Sequence, residues 1–397
     1  MSLLECNREK CRVRNQQQTK VITYQYDELN QLIRENNGVL GTTVLYTYDA
    51  GGNMTSRKTY AYTEGTPQTL QKNETLSYRT DGWRDQLVSL NGYRYVYDAG
   101  GNPTLLRGVP LTWGEGRRLK KVSLSWGTVD FAYDSDGKRV KKTSGNTETK
   151  YYYNGSTLSG LVRTTTGNTG TTKTTVQFVY DAEGKPFLLR LNGKTDYFYL
   201  YNGLGDVTGL VDSSNQVVVR YQYNSWGKVT STQDTSGVSL ATLNPFCYRK
   251  YVYDPETGLY CLGSRYYDPE VGRFVNADDT DVIFAKPQEL GSKNLYAYCD
   301  NNPVAREDYA GEFPIPCIVG AVVGAAVSGF SYVLTSGGEI DGVELAKSCL
   351  VGAISGALAP LKGGFLMAAA IVNGINTAIN TEGDPVTRVV YGIIEAC

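Results

Sequence analysis

At 397 residues the chain is too long for one ordinary core, and its 39 basic and 40 acidic side chains leave no electrostatic footprint for nucleic acid or an anionic membrane surface. It has no histidine, which excludes His-assisted nucleophiles, most zinc sites and His-dependent nucleases. Its 31 Tyr against 10 Phe and 4 Trp suit strands with one wet face, joined by tight turns.

Residues 1–20 carry charges throughout and no apolar run, so they read as a truncated lead without a signal peptide. The chain reads as the back part of a longer secreted or cell-surface protein. The eight cysteines (Cys6, Cys11, Cys247, Cys261, Cys299, Cys317, Cys349, Cys397) are scattered and form no Cys-x-x-Cys pair. They are expected as small buried thiols, and neither a metal nor a cofactor is expected.

From 21 to 245 the sequence repeats an aromatic-x-Tyr-Asp-x-x-Gly unit followed by an apolar-alternating run. Clear copies turn at Asp27, Asp49, Asp98, Asp134 and Asp181, with Asn in place of Asp at Asn202 and Asn224. Weaker copies fill the gaps at Asp81, Glu115 and Asn154. A period of roughly twenty residues marks a repeat array rather than separate domains. In Tyr-x-Tyr both rings point to one face of a strand, and the following Asp-x-x-Gly makes the turn. Each unit is therefore a hairpin that needs neighbours, its aromatic rows forming ladders of about 0.2–1 kcal/mol per pair. Some ten hairpins make a twisted antiparallel strip that must coil into a solenoid, a barrel or a shell, and the pattern does not choose among them. A second reading makes Trp83, Trp113, Trp126 and Trp226, with exposed tyrosines, platforms for sugar rings in a surface adhesion module.

Residues 246–311 form a different block, opening with FCYRKYVYDPETGLYCLGSRYYDPEVGRFVNADD. Two Tyr-Asp-Pro-Glu-x-Gly turns, Asp254-Pro255 to Gly258 and Asp268-Pro269 to Gly272, predict Asp capping its own turn, Pro presetting φ and Gly taking positive φ. Arg265 and Phe274 are expected as structural residues beside them.

With YYDPEVGRFVNAD and the later NLYAYCDNNPV, this block resembles the core of the RHS/YD-repeat family, and the likeness runs from Val21 to Gly311. The resemblance implies that the strip winds into a β-shell with the core plugging one end. It also implies a polymorphic-toxin protein that contains its own C-terminal segment as cargo. Some members carry an intramolecular aspartyl protease in the core. Carried over by position, its residues here are Asp279, Asp308 and Arg273, for a single self-cleavage near Gly311. Two carboxylates sharing a proton serve as base and acid around a water, and an Arg keeps one ionised. Thr280 and Tyr309 stand where the family has Pro, and in the alternative reading Asp278, Asp279 and Asp308 are turn and cap residues.

After Gly311 the composition shifts to Gly, Ala, Val and Ile. Phe313–Gly338 is 26 residues without a charge, long enough to span a bilayer, with small residues at Gly320, Gly324 and Ser328. Apolar character diluted by Gly, Ala, Ser and Thr favours packed or conditionally membrane-active helices over a constitutive span. No catalytic pair is visible from 312 to 397. The expected fold is mainly β: a repeat strip coiled into a shell, then a small Gly/Ala-rich helical segment.

Overall fold

The structure, a computed structural model, describes residues 2–6, 10–15, 18–278 and 294–308. The chain divides into two units, Met1–Phe313 and Pro314–Cys397. The expected helical segment 312–397, with its candidate span 313–338, lies outside the described residues, as does Asp279.

The first unit is the expected antiparallel strip. Twenty-three strands, from Ser2–Cys6 to Val229–Asp234, follow one another in sequence order in runs of nine and fourteen. Tyr95 separates the runs, and its N–H still donates to the Val88 carbonyl at 3.0 Å. Every pairing in the strip is between sequence neighbours, so each hairpin closes only a short loop.

The repeat explains the turns atom by atom. At Asp49 the carboxylate Oδ1 accepts the N–H groups of Gly51 and Asn53, both at 2.9 Å. The same two-bond pattern recurs at Asp27, Asp98, Asp181, Asn202 and Asn224. The third residue after each Asp or Asn is left-handed, as at Gly52 (φ 73°) and Gly227 (φ 79°), which is why the motif carries Gly there. One extra residue then enters the returning strand, and the pairing shifts by one at Tyr26, Tyr48, Tyr133, Tyr180, Tyr201 and Tyr223. An identical turn at Asp212 escapes the motif because no Tyr-x-Tyr precedes it.

The second tyrosine of each unit does more than pack. Tyr48 Oη donates to the Leu32 carbonyl at 2.7 Å, Tyr78 to Met54 at 2.8 Å, Tyr133 to Leu119 at 2.8 Å and Tyr223 to Val207 at 2.7 Å. Tyr153, Tyr180 and Tyr201 reach Arg139, Leu158 and Pro186 in the same way. Every acceptor lies at the start of the returning strand one hairpin earlier, next to its bulge. Trp113 takes this place in the degenerate copy, its indole N–H donating to the Pro103 carbonyl at 2.7 Å.

The inner face forms one apolar cluster, with Leu32, Leu87, Leu119, Val129, Leu189, Leu210 and Val219 at its centre. The strip turns back on itself. The Tyr46 and Trp226 rings, 180 positions apart, meet edge-on at 5.9 Å. A cavity of about 140 Å³ lies at this seam, lined by Tyr24, Asn37, Leu204, Asp206 and Tyr223 among others. Beside it, Glu35 is buried and accepts from Asn37 at 2.8 Å and Tyr46 at 3.1 Å. Burial raises its carboxyl above the ordinary range despite these donors.

Removing one hydroxyl clamp leaves a bulge carbonyl without its donor. Tyr223→Phe is expected to cost about 1–2 kcal/mol, with the ring retained. Urea unfolding checks this, and an unchanged midpoint would show the hydroxyl to be dispensable.

Candidate functional site

The core block folds as a small antiparallel sheet of Val252–Asp254, Leu259–Cys261, Tyr266–Asp268 and Arg273–Phe274. Tyr248, Tyr260, Tyr267, Tyr298 and Phe274 are buried around it. The Tyr267 and Tyr298 rings lie closest among them, with centroids 4.2 Å apart. Cys247 and Cys299 are buried free thiols, and burial pushes Cys247 up to about 12, so both are inert packing groups.

The two Asp-Pro turns use their carboxylates differently from the expectation. Asp254 closes its turn through its main-chain oxygen, which accepts Thr257 N–H at 3.1 Å and Gly258 N–H at 2.8 Å. Its side chain is turned away from the backbone, to Arg139 and to Lys142 at 2.9 Å, and all three are buried. Asp268 keeps one cap, accepting Glu270 N–H at 3.0 Å, and pairs its other oxygen with Arg107. Burial pushes both carboxyls up. At Asp254 the two cations outweigh burial and the carboxyl lies below its ordinary value, whereas at Asp268 one cation does not, and the carboxyl stays raised.

The core also binds the turns of the strip. Tyr260 and Tyr267 donate to the Gly227 and Trp226 carbonyls, both at 2.7 Å. Tyr296 donates to Gly101 at 2.8 Å, and the Asn301 amide to Gly52 at 2.7 Å. Gly227 cannot carry a side chain, since a Cβ there would lie 2.3 Å from the Tyr248 ring.

The candidate site lies among these contacts. Arg265, buried in the turn before Tyr266–Asp268, holds Asp278 at 3.1 Å and Asp308 at 3.3 Å, and both carboxylates are buried too. Its guanidinium lies 3.5 Å over the Phe274 ring centroid, which fixes its plane. Asp278 is held in turn by Arg117, which donates to its carbonyl at 2.6 Å. One cation thus holds two buried carboxylates that lie thirty positions apart in the core block.

Of the residues carried over by position, Asp308 is in this group. Arg273 is elsewhere: it donates to the Asp85 carbonyl and stacks on Tyr78 and Tyr296, 4.9 and 5.1 Å from their ring centres, and no carboxylate is within ion-pair distance of it among the described residues. In the sequence alone Arg265 stands as a structural residue, and Asp278 as one of the turn and cap residues of the alternative reading. Two adjacent aspartates after Gly-Arg-Phe were the available signal, but nothing in the sequence said which of them faces Arg265. Trp226 is fully buried and Trp113 is committed to Pro103, which corrects the expectation that they are exposed platforms; Trp83 and Trp126 are exposed. Among the described residues no helix is long and apolar enough to cross a membrane, and no acidic or thiol group forms a metal cluster.

Asp254→Asn leaves buried Arg139 without a carboxylate and Lys142 with only Glu256 at 2.8 Å, and is expected to cost about 3–5 kcal/mol at pH 7. The sign with pH follows from the lowered carboxyl: its stabilisation is present above the ordinary carboxylate value and is lost as pH falls through the folded one. Urea titrations from pH 7 down to pH 3 are therefore expected to narrow the gap between wild type and variant; a constant gap would refute the pairing.

The Teneurin YD-shell family model matches residues 5–304. The tRNA3(Ser)-specific nuclease WapA of Bacillus spizizenii is 34% identical over 291 residues, 72% of this chain and 12% of that protein. Teneurin-1 of Gallus gallus is 26% identical over 290 residues, 71% of this chain and 10% of that one. The Photorhabdus luminescens Tc holotoxin pore structure shares the fold with a TM-score of 0.60 at 24% identity, over 75% of this chain and 15% of that one. The chain thus spans about an eighth of the length of the first of these relatives. The strip, its core block and these likenesses agree, and the chain belongs to the Teneurin YD-shell family, as an RHS/YD-repeat shell related to toxin proteins.

Proposed function

We propose that this chain is the containing part of a secreted or cell-surface toxin, a shell that encloses its own C-terminal segment until release. The observation that carries the reading is the tie between core and strip: buried Asp254 and Asp268 pair with Arg139, Lys142 and Arg107, and core tyrosines seize the turns at Gly101 and Gly227. Such ties hold a wall in place without an external partner. Relatives named as nucleases and toxin subunits support a toxic cargo. The cysteines Cys317, Cys349 and Cys397 of the downstream segment make a direct test. Enclosure predicts that a bulky polymer-linked maleimide labels them slowly in the native chain and fast in urea, while labelling at the free-thiol rate in both would sink the reading.

A second reading, self-cleavage, is favoured by the Arg265–Asp278–Asp308 group. A water attacks the scissile carbonyl, one carboxylate takes its proton, and the other protonates the departing amide nitrogen as the C–N bond breaks. In this proposal Asp278 and Asp308 are the pair and Arg265 the cation between them. Intact mass decides it: wild type is expected to shorten to a product ending near Gly311, and Asp278→Asn and Asp308→Asn to stay whole. A wild-type mass unchanged after long incubation removes the reading.

A further inference from the structure

The segment 303–308 leads out of the core block, and three consecutive residues grip it. Arg249 donates to the carbonyls of Pro303 at 2.7 Å and Val304 at 3.0 Å. Lys250 pairs with Glu307 at 2.9 Å. Tyr251 accepts the Asp308 N–H at 3.0 Å, and its hydroxyl also meets that of Tyr298 at 2.9 Å.

The backbone that presents this grip is strained. Arg249 (φ 51°) and Lys250 (φ 62°) are left-handed, and so are Cys299 (φ 52°), Asp300 (φ 50°) and Asn301 (φ 59°), with no glycine among the five. Such residues persist only where the surroundings over-determine them. Tyr298 directly precedes one strained turn and Tyr251 directly follows the other. The two turns therefore set the paired hydroxyls in place. Arg249 is locked by the strip as well, its N–H donating to Asp206 at 3.1 Å and its guanidinium to the Leu204 carbonyl.

Asp308 is thus held by its amide at Tyr251 and by its carboxylate at Arg265. We propose that Tyr251 is a positioning residue for the Asp308 carboxylate: by accepting the Asp308 N–H it fixes the backbone from which that carboxylate meets Arg265 beside Asp278. This rests on the self-cleavage reading and assigns the residue that sets its geometry. Burial raises the Tyr251 phenol well above its ordinary value, so the hydroxyl stays neutral over the working pH range.

The test compares full-length wild type, Tyr251→Phe and a control, Tyr253→Phe, which removes a hydroxyl two residues further along the same stretch. Two quantities are read in parallel: hydrogen exchange of the peptide covering 303–308, and single-turnover cleavage by intact mass across pH. Tyr251→Phe is expected to exchange about two- to tenfold faster at Asp308 and to cleave about 10- to 100-fold more slowly, with Tyr253→Phe matching wild type in both. Because Tyr251 only positions, the pH at which the rate is half-maximal is expected to stay in place while the rate falls. Unchanged exchange at Asp308 overturns the inference whether or not the chain cleaves. Faster exchange with an unchanged cleavage rate overturns the positioning role. A wild type that never cleaves refutes the self-cleavage reading and the catalytic part of the inference with it, while the exchange result still decides whether Tyr251 holds Asp308.

Discussion

The hairpin of each Tyr-Asp repeat turn carries a bulge, and the tyrosine of the next repeat reaches back to the carbonyl beside it. A bulge takes a main-chain group out of the ladder, and an unpaired buried carbonyl costs about as much as a lost hydrogen bond. The hydroxyl at Tyr48, Tyr133 or Tyr223 supplies the missing donor. A single hairpin cannot satisfy itself in this way, because its donor belongs to its successor. The array is therefore stable only as a run of units, and this requirement gives the motif its second tyrosine.

The same rule governs the core block, where charge replaces hydroxyl. Asp254, Arg139 and Lys142 are all removed from water, so their attraction contributes little beyond offsetting their own desolvation. What they supply is register. A core shifted by one residue would bury an unpaired cation or carboxylate, which costs far more than a displaced apolar contact. The contrast between Asp254, lowered by two cations, and Asp268, raised with one, shows how closely each pairing sets the local balance. Arg265 extends this logic to two carboxylates at once, and the positive-φ turns at 249–250 and 299–301 bring the segment 303–308 to it.

The strip was legible in the sequence because its determinants are local. Asp or Asn, then Gly three residues on, specifies the turn, and alternating side chains specify which rings share a face. The core tyrosines and the two Asp-Pro turns were likewise visible. The function of the hydroxyls was not, since their acceptors are main-chain carbonyls, identical at every residue and marked by no letter of the sequence. The turn at Asp212 was missed for the complementary reason: its chemistry is complete but its aromatic flag is absent.

By itself, then, the sequence determined the antiparallel hairpin strip and its turn type, both products of contacts a few residues apart. The tertiary structure alone decided that the Asp254 carboxylate leaves its own turn for Arg139, 115 positions away, that Trp226 is buried against Tyr46, and that Arg265 rather than Arg273 holds Asp308. Two arginines eight residues apart in the same block are chemically equal in one dimension. Only the curvature of the strip, which places Tyr78 and the Asp85 carbonyl beside Arg273 and leaves Arg265 facing Asp278 and Asp308, makes them different.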